Sequence, residues 1–188
     1  MTVEGLRHYL ITIIDYFSYY IVAWGIAKTM TQREVKDLLL IAYISQGIEH
    51  SEQKPLLRLD KGLLNIASDT RRLIKDLEMV ISPNRVSRPT DNGRQERWYR
   101  TVKQEEIYCY PTYPSMYLAG QSLVRYIEEY NEKRSHQALR NYTPGFVHRL
   151  GNKTMLLKYH RKMVQIIKEQ RVRINRESYL KINYGAPD

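Results

Sequence analysis

Asp60 and Glu96 are the two acidic residues whose surroundings could do chemistry. They are separated by 35 residues. Asp60 follows the apolar run Leu56, Leu57 and Leu59, and Glu96 falls about one turn inside a helix expected to open near Asp91 and continue to about Glu106. Arg100 and Lys103 lie four and seven residues beyond Glu96, on the same helix face. A carboxylate placed there can hold a divalent metal while the cations one and two turns further on grip phosphates of one nucleic-acid strand. The same residues also read as a surface ion pair between Glu96 and Arg100, worth at most about 0.5 kcal/mol. Two acids at a given spacing do not decide between these readings.

The elements that must position these residues are legible in outline. Tyr9 to Ile14 and Ile21 to Ile26 are β-branched and aromatic runs that predict two strands of a hairpin, turned through Asp15 to Tyr20. Thr31-Gln32-Arg33-Glu34 has capping-box spacing and predicts a helix to about Ile44. Leu56 to Leu59 predicts a third strand that delivers Asp60 at its C-terminal end. Ser68 is a candidate cap for a helix from Asp69 to about Glu78, followed by a short strand at Met79 to Ile81 and a Pro-, Asn- and Arg-rich loop from Ser82 to Thr90. Ala119, Leu123, Tyr126, Ile127 and Tyr130 form a helical apolar stripe within Ser115 to Asn131, and Leu156, Tyr159, Met163, Ile166 and Ile167 form a second one on a basic background.

The 188 residues carry 30 Lys and Arg against 20 Asp and Glu, a net charge of +10. All of that excess sits in two segments, residues 85 to 103 at +4 and residues 151 to 188 at +6. A polyanion, above all nucleic acid, is the expected partner. One cysteine, Cys109, excludes an internal disulfide framework and a cysteine-rich zinc module and predicts a cytoplasmic setting. The most apolar stretch, Tyr9 to Trp24, contains Asp15 and Ser18 and falls short of the roughly 20 apolar residues of a membrane span. His136 lacks a partner at metal-ligand spacing, and Cys109 lacks a basic neighbour that would activate it, so both read as structural. Trp24 and Trp98 read as packing residues.

Several stretches together resemble the integrase-core transposases of bacterial insertion sequences, relatives of the retroviral integrases. The resemblance rests on Ile14-Asp15-Tyr16-Phe17-Ser18 before Ile21-Val22-Ala23-Trp24, on Asp60-Lys61-Gly62, on Arg88-Pro89-Thr90-Asp91-Asn92-Gly93-Arg94-Gln95-Glu96-Arg97, and on Arg100-Thr101-Val102-Lys103. It continues in Tyr126-Ile127-Glu128-Glu129-Tyr130-Asn131, with Arg134, His136, Leu139, Thr143 and Pro144 in the spacing of that family's C-terminal signature.

The resemblance implies an α/β, ribonuclease-H-like mixed sheet flanked by helices, with residues 1–149 as a truncated catalytic core and residues 150–188 as a basic helical tail. It implies an acidic triad holding two Mg²⁺ or Mn²⁺ ions for phosphodiester cleavage and strand transfer. Asp60 matches the second Asp of that triad and Glu96 its Glu. The first Asp has no match, falling about three residues before Met1 by the family's spacing, and Asp15 belongs to the hairpin turn. The expectation is therefore a DNA-binding protein inactive as written, with its first strand largely missing and the Asp60 strand incompletely paired. The alternative is a non-enzymatic fragment that regulates a full-length transposase. Arg94, Arg97, Arg100, Lys103, Arg134, Lys158, Arg161 and Lys162 are the expected DNA contacts, and a homo-oligomer or association with a full-length transposase is the expected protein partnership. A bacterial, nucleoid-associated location follows.

Overall fold

A computed structural model describes residues 1–59, 68–83 and 93–185 of the chain. It begins with a short hairpin, β1 (Thr2–Val3) and β2 (Leu6–Arg7), turned by Glu4 and Gly5 at φ of 50° and 75°. Two successive left-handed residues match the twist of the flanking strands. The second hairpin, β3 (Tyr9–Ile14) and β4 (Ile21–Ala27), pairs Tyr9 with Ala27 through Ile13 with Ala23 and shifts register at Ile13/Ile14. Helix α1 (Gln32–Ser45) starts on the predicted capping box, with Thr31 and Glu34 each bonding the other's backbone.

Strand β5 (Leu56–Leu59) pairs in parallel with β6 (Val80–Pro83), and α2 (Ser68–Asp76) connects them. Ser68 lies inside α2 rather than ahead of it. β6 also runs to Pro83, two residues past the expected strand and into the expected loop. Pairing with Leu59 extends it there. Helices α3 (Gly93–Glu105), α4 (Met116–Glu132), α5 (Pro144–Leu150) and α6 (Lys153–Tyr184) follow, with short 3-10 turns at Ile48–His50, Ile107–Cys109 and Gln137–Leu139. Ser115, Thr143 and Asn152 cap the last three through side-chain oxygens.

The strands of the β3–β4 hairpin alternate between two cores. Leu10 and Ile21 face Trp98 and Val102 of α3 and Leu123, Ile127 and Tyr130 of α4, while Ile11, Ala23 and Ala27 face Leu38 and Ala42 of α1. Leu39, also on α1, packs with Ile74 and Met79 under Leu57 and Ile81. One helix thus supports both β3–β4 and β5–β6, yet among the described residues the strands form three separate two-stranded sheets. The α/β layering expected from the sequence is present. Between β3 and β5 lies a cleft rather than a continuous ladder.

Candidate active site

Glu96 sits in the first turn of α3, an exposed carboxylate lining this cleft of about 1650 Å³. No hydrogen bond or ion pair among the described residues engages it, so the Glu96–Arg100 surface pair does not form. Two residues earlier, Arg94 places its guanidinium over the rings of Tyr16 and Tyr19, 4.3 and 4.6 Å from their centroids. These contacts fix the start of α3 against the β3–β4 turn, each worth about 0.5–2 kcal/mol. Gln95 donates from Nε2 to the Thr12 carbonyl at 3.2 Å, and Tyr99 meets the Thr12 hydroxyl at 3.1 Å. The start of α3 that carries Glu96 is therefore held against the β3–β4 hairpin through Thr12, Tyr16 and Tyr19.

Asp60 directly follows β5 in the chain and lies outside the described residues, as do Lys61, Gly62, Arg85, Arg88, Pro89, Thr90, Asp91 and Asn92. Arg97, Arg100 and Lys103 are exposed on α3 without an acidic partner among the described residues, as are Lys158, Arg161 and Lys162 on α6. Arg134 is placed differently. It makes a two-pronged ion pair with Glu105, in which Nη2 donates to Oε1 at 2.8 Å. That guanidinium, together with the Tyr126 hydroxyl, holds the Glu105 carboxyl below the usual range.

Glu96 has the hard oxygen chemistry that Mg²⁺ or Mn²⁺ takes, but one carboxylate does not enclose an ion. Among the described residues no three His, Cys, Asp or Glu side chains come together to hold a metal. Asp15, the other carboxylate lining the cleft among the described residues, is already committed. It accepts from the backbone N–H of Phe17 at 3.1 Å and of Ser18 at 3.2 Å, from the Ser18 hydroxyl, and from Nδ1 of His148 at 3.1 Å. Burial opposes its charge, but the bonds from His148 and Ser18 outweigh that and hold its pKa at about 2. His148 in turn meets Oε1 of Gln46 through Nε2 at 2.7 Å and stacks on Tyr20 with centroids 4.5 Å apart. Ser18 is fully buried, so this Asp, His and Ser grouping ties α5 to the hairpin turn and presents no nucleophile.

The sequence reading missed this tie and the Arg94 stack. His148 is 133 residues from Asp15, and no local pattern joins them. The tyrosines at positions 16, 19 and 20, dense around the turn, were the only signal for stacking. His136 is structural, packed between Tyr19 and Tyr130 at 5.8 and 4.9 Å, and burial lowers its pKa. Trp98 is 1% exposed in the core.

Residues 77–144, which include α3 and α4, match the family model described as the integrase core domain. Over 144 residues, 76% of this chain, the sequence is 32% identical to the transposase for insertion sequence element IS904 of Lactococcus lactis subsp. lactis. The chain resembles the integrase-core transposases of insertion sequences. An uncharacterized protein of insertion element IS136 from Agrobacterium fabrum is 29% identical over 142 residues, covering 70% of this chain and 69% of the relative. The chain spans 55% of the IS904 transposase's length. The cryo-EM structure of the simian T-cell lymphotropic virus intasome in complex with PP2A regulatory subunit B56 gamma contains a chain that superposes with a TM-score of 0.55, over 72% of this chain and 46% of that one. At 17% identity that likeness shows the α/β fold alone. No helix among the described residues is long and apolar enough to cross a membrane.

Proposed function

We propose that this integrase-core chain binds DNA and belongs to the machinery of DNA transposition, with Asp60 and Glu96 as ligands for Mg²⁺ or Mn²⁺. The observation that carries the reading is the Glu96 carboxylate, unengaged among the described residues, at a cleft and followed along α3 by the exposed cations Arg97, Arg100 and Lys103. Glu96 offers oxygen to a metal. The cations hold phosphates beside it, and Arg94 keeps the helix turn in place through Tyr16 and Tyr19. A metal pair, when bound, supplies an activated nucleophile and stabilises the leaving oxygen in phosphodiester exchange. The 188 residues hold two matched ligands, since Asp15 is engaged in the turn. Nicking or strand transfer by this chain alone is therefore expected to be absent.

Lys158, Arg161 and Lys162 extend the basic surface onto α6, within the tail proposed for residues 150–188. Arg134 joins it with its charge already offset by Glu105. Such a protein works at the bacterial nucleoid, as a homo-oligomer or beside a longer transposase. The second reading is a non-enzymatic DNA-binding regulator of such a transposase, favoured by the open cleft beside β3. Salt-titrated fluorescence anisotropy on duplex DNA tests the main reading. Neutralising about six phosphates gives a slope near −5 in log affinity against log salt. Ending the chain after Ile167 keeps Leu156 in its core and removes Lys168, Arg171, Arg173, Arg176 and Lys181, and it should flatten the slope. A slope near zero in the full chain would sink the DNA reading, and Mg²⁺-dependent nicking by it would overturn the assignment of two ligands.

A further inference from the structure

The turn between β3 and β4 carries a ring that two other elements reach. Arg58, on β5, places its guanidinium carbon 4.9 Å from the centroid of Tyr16, and Arg94, in the first turn of α3, places its own 4.3 Å from the same centroid. The face of an aromatic ring is negative, so it attracts both cations and offsets part of the repulsion between them. Arg94 also lies over Tyr19, but among the described residues Tyr16 is the ring that takes both arginines. Its base is fixed, because the carboxylate of Asp15, the preceding residue, accepts from the N–H groups of Phe17 and Ser18 and from Nδ1 of His148. The two arginines also stand in the same place relative to the two matched acids. Asp60 is the second residue after Arg58, and Glu96 the second after Arg94. Two residues of chain span at most about 7 Å, so an arginine held at its tip restricts where the carboxylate after it can go.

We propose that Tyr16 is a positioning residue, whose ring gathers Arg58 and Arg94 and through them sets β5 and the first turn of α3 so that Asp60 and Glu96 serve one divalent cation. The inference rests on the reading of those two acids as ligands of one metal site. A ring suits the task better than a further acid. A carboxylate in its place would hold the arginines as well but would also draw the metal to itself, whereas the aromatic face holds guanidinium groups without offering the ion a carboxylate oxygen. A guanidinium lying over a ring also keeps its N–H donors in its own plane, outside the stack. The contact requires the ring and not the hydroxyl, so phenylalanine can replace Tyr16 and leucine cannot.

The test titrates Mn²⁺ into the full chain and follows its sharp aqueous paramagnetic resonance signal, which is lost on binding, together with amide exchange in the absence of metal. Tyr16→Leu should weaken Mn²⁺ binding about tenfold, the loss typical when a group that orients a metal ligand is removed. It should also speed exchange several-fold in both 57–59 and 94–97. Tyr16→Phe should match the native chain within about twofold in both measurements, since the ring face is kept. Arg58→Leu leaves the Asp15–Ser18 turn intact and should weaken Mn²⁺ binding as Tyr16→Leu does, so the result does not hinge on the folding of one variant. Glu96→Gln is the control for the metal site itself and should lose more than either. Loss in Glu96→Gln with native affinity in Tyr16→Leu or Arg58→Leu would overturn the positioning role alone. Native affinity in Glu96→Gln would overturn the two-acid metal site and the positioning role with it. Equal losses in Tyr16→Phe and Tyr16→Leu, or faster exchange confined to one of the two segments, would also overturn the role.

Discussion

The two larger strand pairs share one supporting helix and end up in different environments. β3–β4 is covered on both faces, by α1 on one and by α3 and α4 on the other, with Leu10, Ile11, Ile21 and Ala23 all buried. β5–β6 rests on α1 and α2 through Leu57 and Ile81, while Leu56 and Val80 remain 69% and 59% exposed. Apolar residue types are equally available in both pairs, so what separates them is the number of helices that reach them. Strand propensity makes the strands, and coverage decides which pair holds the core.

Replacing Trp98 by alanine should cost about 4 kcal/mol in urea denaturation, since it removes a fully buried ring packed edge-on against Tyr130 beneath β3–β4. A cost below about 1 kcal/mol would end the claim that this side carries the core. Asp15→Ala should cost about 2 kcal/mol by stranding the donors of Phe17, Ser18 and His148. Its pH signature has a fixed sign. The folded carboxyl titrates near 2, below its ordinary 3.8, so its contribution is complete above about pH 4 and disappears as pH falls through 2. Stability of the native chain should therefore drop more steeply than that of the variant between those values, and parallel curves would place the tie elsewhere.

On the covering helix α3, Arg100→Ala should leave the urea midpoint unchanged and reduce the salt slope of DNA binding by about one. Loss of stability without a change in slope would make Arg100 part of the core's support. The smallest effect is expected on the exposed pair, where Val80→Ala should fall within about 0.5 kcal/mol of the native protein. A larger loss would show that β5–β6 is covered in solution.

Features written in a few consecutive residues were legible. The Thr31–Glu34 capping box needs only four positions, β3 and β4 are continuous β-branched and aromatic runs, and the α4 stripe repeats at the helical period. The face of α3 with Glu96, Arg100 and Lys103 was legible for the same reason. What escaped depends on closure between distant segments. The contacts of Asp15 with His148 and of Arg94 with Tyr16 and Tyr19 join residues from separate elements, and the extension of β6 to Pro83 is set by its neighbour β5. The partner of Arg134 is likewise set by how α3 and α4 meet, and Glu105 gives no hint of it in the sequence.

Helix α6 has 32 residues, about 48 Å of length at 1.5 Å per residue. Its early residues are anchored through Leu156 against Leu139 and Val147, whereas every side chain from Lys168 to Ile182 is exposed. Stretches of about 12–15 residues without tertiary support are marginal helices in water. The distal half is thus a helix–coil equilibrium propagated from an anchored nucleus, and of its five cations Arg173 is paired with Glu177 while the others repel one another when the spacing is fixed. A polyanion laid along it removes that repulsion and lengthens the helix. Binding by this segment should accordingly register as a gain in helical circular dichroism and as an unfavourable entropy that grows with the number of residues ordered.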